Sequence, residues 1–395
     1  MALSFHFVVG LGLVYGTSFV FRFLERYDFP ILAVEILAGI VFGSVLGVVG
    51  QGSPGYQFIL HLAAFGLLMV MFDAGLELNP EIISRNTRTV GILAGFTFVL
   101  PFLSGVGLAI YLGLPTFAAF LVGVTISTTS LGLIYPMLED FDFLGSDTGQ
   151  LILSVTVMND ILSVAALAYG ITLISAPRPL VGAGLVTAAL GFFFVLLPFY
   201  LDDYIDSVWV REDLFANSVK FGVFLMIALA FVMEQIGIHA ILGAFFAGLV
   251  LSIVTDEDHR IEKLLTPVTN LTAPVFFFYV GMNVDLGGFL SSGAMVLIAV
   301  ILVGIGTKLV GGLLGSWATG LDGRTTALLT SAIPGRLSIS VAAAEIGRSR
   351  GIISPELYNA FVVLSVVSVF VSVLAFRYFA SNEDASLLSS LSSAS

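Results

Sequence analysis

The chain has 395 residues, of which 58% are hydrophobic and only 11% charged, with a mean hydropathy of +1.06. Soluble domains carry about a quarter charged residues, so this composition cannot cover a water-facing surface. Cysteine is absent, which excludes disulfides, thiolate metal sites and cysteine nucleophiles. The four histidines, at 6, 61, 239 and 259, have no metal-ligand spacing. The net charge of −12 sits largely in loops such as Glu139–Asp142 and Asp202–Asp206, and no basic patch suited to nucleic acid occurs.

Thirteen apolar segments follow one another, most of them about 20 residues long and able to cross the hydrocarbon core of a bilayer. They run Phe5–Leu24, Pro30–Val49, Tyr56–Leu76, Val90–Leu112, Thr116–Tyr135, Gly149–Ile174, Leu180–Tyr200, Asn217–Ile236, Ile238–Val254, Pro267–Met282, Phe289–Thr319, Thr325–Ile346 and Glu356–Phe379. They are continuous rather than alternating, which excludes a transmembrane barrel. The fold class is therefore an all-α polytopic membrane protein with about 13 transmembrane helices. The first segment lacks a basic region followed by a cleavage site, and reads as a retained helix. A tight hairpin is expected around Gly237, and the Ser-rich stretch 380–395 is expected to be a disordered tail. With the N-terminus outside and the C-terminus cytoplasmic, ten Lys and Arg fall on the cytoplasmic side and three on the outer side, so the positive-inside rule favours that orientation. Lys308 and Arg336 remain within the membrane.

An internal repeat organises these segments. Phe72-Asp-Ala-Gly75-Leu-Glu-Leu-Asn79 resembles Phe278-Tyr-Val-Gly281-Met-Asn-Val-Asp285 at an offset of 206. The same offset carries Thr125–Ser130 onto Ser331–Arg336, and Glu35–Gly39 falls near Ile241–Gly248 at almost that spacing. Segment three thus maps to ten and five to twelve. A shift of seven helices is odd, so the two copies have opposite topology: two inverted six-helix repeats with a linker helix between them. Inverted repeats are a signature of secondary transporters, whose site lies at the repeat interface.

The sixth segment carries a polar stripe. Thr156, Asn159, Asp160 and Ser163 stand at i, i+3, i+4 and i+7, on one face of a helix. A carboxylate at mid-bilayer costs about 2.5–3.5 kcal/mol on insertion scales, and such residues are functional by default. Its structural alternative is an ion pair with Lys308 or Arg336. Segments five and twelve each interrupt their apolar run at the matched place, through the hydroxyls Thr125, Ser127, Thr128, Thr129 and Ser130 and through Pro334-Gly335. Broken helices expose carbonyls and amides, tolerated only inside protein or beside a cavity, and those oxygens suit Na⁺ or K⁺. A Ser/Thr-rich packing interface is the alternative there. One carboxylate that holds a proton or a cation, but not both, is sufficient for exchange. Asn159 cannot titrate and reads as a hydrogen-bonding neighbour. Asp73 is a second acidic candidate, Glu77 a helix-end charge, and Glu35 either a proton-path group or a buried hydrogen-bonded acid. Lys308 can stabilise the carbonyl ends of the broken helices or pair with Asp160, and Arg336 reads as permanent charge compensation. No GxxxxGK[ST] motif occurs, which leaves ion gradients as the energy source.

Together, Phe72-Asp-Ala-Gly75, the hydroxyl-rich break, Asn159-Asp160, Lys308 and Gly335-Arg336 resemble the monovalent cation/proton antiporter superfamily along nearly the whole chain. The resemblance implies crossed, broken helices and an elevator-like core formed by residues 90–175 and 288–379. Residues 1–89 and 217–287 would form a scaffold and dimerisation domain, with 176–216 as linker. It further implies a homodimer in lipid that needs no cofactor, and Asp160 as the shared cation and proton site. Thr129, Ser130, Thr156 and Asp73 would be further cation ligands, with Lys308 and Arg336 for charge compensation. The Asn-Asp pair and Asp73 are similar to the electroneutral sodium/proton branch. Lys308 resembles the electrogenic branch, although Asn159 stands where that branch has the carboxylate that pairs with the lysine. A Val occupies position 155, where electroneutral members often have Glu. The expected function is Na⁺ (or Li⁺)/H⁺ antiport. The alternatives are K⁺/H⁺ antiport and a sodium-coupled organic-solute symporter. An intramembrane aspartyl protease is disfavoured by the lack of a GxGD motif.

Overall fold

A computed structural model describes residues 5–21, 31–48, 56–77, 87–175, 179–192, 218–235, 239–254, 260–285 and 294–392. Gly237 and most of the linker lie outside these residues. All regular structure among them is helical: α1 Phe5–Phe21, α2 Ile31–Gly39, α3 Tyr56–Leu76, α4 Thr87–Tyr111, α5 Thr116–Ser127, α6 Leu131–Asp140, α7 Asp147–Ser175 and α8 Pro179–Gly191 in the first half. The second half contributes α9 Ser218–Gln235, α10 Ala240–Val254, α11 Arg260–Met282, α12 Ala294–Thr319, α13 Gly323–Ala332, α14 Ser338–Ser349 and α15 Pro355–Ser392. Segments five and twelve each appear as two short helices, α5/α6 and α13/α14, so the breaks fall in the two expected segments. Seven spans among the described residues are long and apolar enough to cross a membrane, and shorter apolar helices accompany them. The stretch expected as a disordered tail continues α15 as far as Ser392, since residues 380–392 contain neither Pro nor Gly to break it.

The described residues form two compact units. One contains α1–α3, α7 from Val164 onward, α8–α11 and the last turn of α14, Glu345–Ser349. The other contains α4–α6, α7 up to Ser163, α12, α13, α14 up to Ala344, and α15.

In the first unit, glycines let helix backbones touch at two crossings. A Cβ on Gly39 would stand 2.1 Å from the Phe278 carbonyl oxygen, and one on Gly281 2.1 Å from that of Ile36. Likewise Gly248 faces the Phe72 carbonyl at 1.9 Å and Gly75 the Phe245 carbonyl at 2.1 Å. These contacts exchange under the internal repeat: Gly39 on Phe278 becomes Gly248 on Phe72, and Gly281 on Ile36 becomes Gly75 on Phe245. A two-fold relation between the repeats requires that exchange. Small residues drive such packing in lipid, where burial of apolar side chains supplies little force. The charged groups Glu35 and Arg348 of this unit are partnered. Glu35, fully buried, accepts from Thr17 at 3.4 Å and from Ser18. Arg348 donates to Glu345 at 2.7 and 2.9 Å and to the Tyr279 hydroxyl at 3.0 Å.

The second unit is built on α4, α5 and α12. Gly105 of α4 meets Gly123 of α5, where a Cβ would lie 2.9 Å from the facing Cα. Gly311 of α12 lies against Phe96 and Thr97 of α4 in the same way. Pro101 of α4 has no amide to give the Thr97 carbonyl, so the helix ladder is interrupted one turn after Thr97.

Candidate functional site

The site grows from the break between α5 and α6. The break is narrower than the hydroxyl run that foretells it. Thr125 and Ser127 remain helical, their hydroxyls donating to Leu121 and Val124 carbonyls at 2.8 and 2.9 Å. A helix can absorb such hydroxyls by back-bonding. Extended backbone is found at Thr128 (φ −59°, ψ 159°) and Ser130 (φ −142°, ψ 110°). Restarting the helix at Leu131 leaves its amide without a helical acceptor. That amide donates to Asp160 Oδ2 of α7 at 3.2 Å. A carboxylate at a helix N-terminus also gains from the positive end of the helix dipole.

The other carboxylate oxygen, Asp160 Oδ1, is buried without a hydrogen-bond partner among the described residues, and so is Asn159 Oδ1. Asn159 donates through Nδ2 to Thr97 Oγ1 at 2.9 Å and to the Val155 carbonyl at 3.0 Å. Thr156 is fully buried and donates to the Ile152 carbonyl at 2.8 Å, and Ser163 to the Asn159 carbonyl at 2.7 Å. Ser130 takes the N-cap position of α6 without a side-chain capping bond.

Two buried cations complete the second unit. Lys308 Nζ donates to Thr129 Oγ1 at 2.7 Å, and no ion pair joins it to Asp160 among the described residues. Arg336 lies at the second break, between the end of α13 at Ala332 and the start of α14 at Ser338. Its guanidinium donates to the Ile126 carbonyl near the end of α5, to the Gly304 carbonyl at 2.7 Å and to the Pro334 carbonyl at 3.3 Å. A permanent cation thus neutralises the negative end of the broken α5. The breaks also meet through Ser340 Oγ, which donates to the Thr125 carbonyl at 3.4 Å.

Asp160, Asn159, Thr129, Ser130, Thr156, Lys308 and Arg336 all belong to this second unit. Asp73 belongs to the first, where it accepts from Thr269 at 3.5 Å. Two features escape the sequence reading. Thr97, set between Phe96 and Phe98 in the apolar stretch of α4, gives no pattern. Ser365, Ser368 and Ser372 of α15 do: they form a buried stripe at i, i+3 and i+7, which the test applied to segment six would have found. Ser368 accepts from the Arg336 amide at 3.3 Å and Ser372 donates to the Ala332 carbonyl at 2.9 Å, so α15 ties both ends of the second break.

Two helices broken at repeat-related places, one buried carboxylate at the restart of a helix and a buried guanidinium at the carbonyl end of α5 define a secondary transporter of the monovalent cation/proton antiporter superfamily. The chain belongs to the transmembrane sodium/hydrogen exchanger family, which it matches over residues 10–380. It is similar to the probable Na⁺/H⁺ antiporter 3 of Methanocaldococcus jannaschii, 28% identical over 90% of this chain and 92% of the relative. It is also similar to the Na⁺/H⁺-K⁺ antiporter GerN of Bacillus cereus, 24% identical over 96% of this chain and 97% of the relative. Its fold matches the solved structure, at pH 8, of the sodium proton antiporter MjNhaP1 from M. jannaschii, with a TM-score of 0.69 over 95% of this chain and 97% of that one at 16% identity. The chain is therefore a multi-pass membrane protein and a transporter, a cation/proton antiporter.

Proposed function

We propose that the chain exchanges Na⁺ or Li⁺ for H⁺ by alternating access, with Asp160 as the site that proton and cation share. One observation carries the proposal: Asp160 Oδ2 is held by the Leu131 amide while Oδ1, like Asn159 Oδ1, is buried without a hydrogen-bond partner among the described residues. Buried polar atoms are nearly always paired, so an orphaned oxygen here marks a place kept for a ligand. A proton on Oδ1 neutralises the carboxyl. A cation does the same and in addition recruits neutral oxygens from Asn159, Thr129, Ser130 and Thr156; the Thr156 hydroxyl, its proton given to the Ile152 carbonyl, keeps its lone pairs available. Occupancy is exclusive, and exclusivity couples the two fluxes.

Asn159 cannot carry a second proton, and Arg336 stays charged throughout. Lys308, held on Thr129 Oγ1, keeps its charge through the cycle in this reading; one proton therefore balances one cation, and exchange is electroneutral. Asp73 is the further acidic group offered to the cation. In this reading residues 90–175 and 288–379 form the moving core, working like an elevator, and residues 1–89 and 217–287 form the scaffold. The protein is a homodimer in the cell membrane, with its N-terminus outside and its C-terminus in the cytoplasm. A second reading, K⁺/H⁺ exchange, draws on the relative from B. cereus whose name includes K⁺.

The test is a pH-dye assay in proteoliposomes, titrated with Na⁺, Li⁺ and K⁺, with and without a valinomycin clamp of the voltage. Saturable proton movement driven by Na⁺ and Li⁺, indifferent to the clamp and lost in Asp160→Asn, is expected. Retained Na⁺-driven exchange in Asp160→Asn would overturn the assignment, and K⁺ as the better substrate would select the second reading.

A further inference from the structure

Asn159 has one orientation open to it, set jointly by its own helix and by α4. The Val155 carbonyl, 3.0 Å from the side-chain amide, can only accept a hydrogen bond. Thr97 Oγ1, 2.9 Å away on the other helix, has a single proton, which goes to its own Leu93 carbonyl at 2.8 Å. Both neighbours are therefore acceptors, and both require the NH₂ end of Asn159. Turned over, the amide would press its oxygen against two oxygens with no proton between them. The carbonyl end is thereby forced to the opposite side, where it is buried and without a partner among the described residues. Thr97 is itself held in place: it is fully buried, and the missing side chain at Gly311 lets α12 back directly onto α4 at Phe96 and Thr97.

We propose that Thr97 is a positioning residue for cation selection, turning the amide of Asn159 so that Asn159 Oδ1 and Asp160 Oδ1 together face the cation. This rests on the reading of Asp160 as the shared site and adds a role for α4 that the sequence pattern does not contain. The chemistry of the two oxygens differs in the way that matters for exchange. A carboxylate oxygen binds a proton or a cation, whereas an amide oxygen ligates a cation and is not protonated at working pH. Asn159 Oδ1 therefore adds to cation affinity and leaves proton affinity alone. Thr97 biases the competition toward the cation without being touched by it.

The experiment is the Na⁺ KM for exchange, measured in proteoliposomes across pH. Competition at one carboxylate gives a KM that falls with rising pH and then levels off. The plateau reports intrinsic Na⁺ affinity, and the bend reports the proton affinity of the shared site. Thr97→Val, which keeps the shape and removes the acceptor, is expected to raise the plateau by about three- to tenfold, the effect of one hydrogen bond, with the bend at the same pH. Thr97→Ala, smaller and free of any packing clash, gives the same displacement, and Thr97→Ser restores the plateau. A plateau unchanged in both Val and Ala variants, a bend that moves with it, or a Ser variant no better than Val would overturn the role of Thr97. Each of those results leaves Asp160 as the shared site, which fails separately, by retained exchange in Asp160→Asn.

Discussion

The two units solve the problem of burial in opposite ways. In the first, backbones lock at Gly39, Gly75, Gly248 and Gly281, and the buried acid Glu35 has hydroxyl partners on α1. In the second, both broken helices are tied by side chains, yet oxygens are left over. Of the five buried side-chain atoms without a partner among the described residues, four lie in the second unit: those of Asn159, Asp160, Ser316 and Thr330. Interlocked packing makes a body that does not yield, and unpaired oxygens make a place for an ion. Glycine crossings thus occur in both units, while the oxygens left over for an ion are concentrated in the second.

This contrast breaks first at the glycine crossings. Gly248→Val puts side-chain atoms where even a Cβ would be 1.9 Å from a backbone oxygen, and backbone cannot rotate away. It is expected to cost about 3 kcal/mol or more, read as a large fall in melting temperature in detergent. Gly184→Ala, in the same unit with nothing within 4 Å, should be neutral or slightly stabilising. Asp160→Asn makes the opposite prediction. Asn keeps an acceptor for the Leu131 amide and removes a buried charge, so stability should hold or rise by up to about 1 kcal/mol while exchange is lost. A strongly destabilised Asp160→Asn would erase the distinction between the units. The smallest effect belongs to Asp322, exposed at the N-cap of α13. Its carboxylate accepts from the amides of Arg324 and Thr325 at 2.9 and 3.0 Å. The bonding from Thr325, side chain and amide, is the main cause that holds it below the ordinary aspartate range. A depressed folded value means that its contribution is present above the unfolded aspartate pKa and is lost as pH falls through the folded value. Asp322→Ala should therefore lower the melting temperature slightly at neutral pH, with the difference vanishing in strong acid.

Much of the architecture is legible in the sequence because bilayer thickness fixes span length and an offset of 206 recurs in the chemistry, not only in hydropathy. The breaks are legible for the same reason, since Thr128–Ser130 and Pro334-Gly335 are poor material for a lipid-facing helix. Rotamers are not legible. Nothing in the pattern says that Lys308 reaches Thr129, or that Thr156 turns its proton back to Ile152. The partners of Asn159 are hidden too, because Thr97 is 62 residues away in an apolar stretch of another helix. The reciprocal glycine contacts lie between: the repeat names the four glycines, but only the crossing helices reveal which faces which.

The central claim is that a proton and a cation exclude each other at Asp160, and it can be measured without transport. Purified protein is placed in weak buffer with a pH indicator, near the pH at which the Na⁺ KM bends, and Na⁺ is added. The account predicts saturable acidification of at most one proton per protomer, absent in Asp160→Asn. Saturable Na⁺ binding with no proton released, or release that persists in Asp160→Asn, would contradict it.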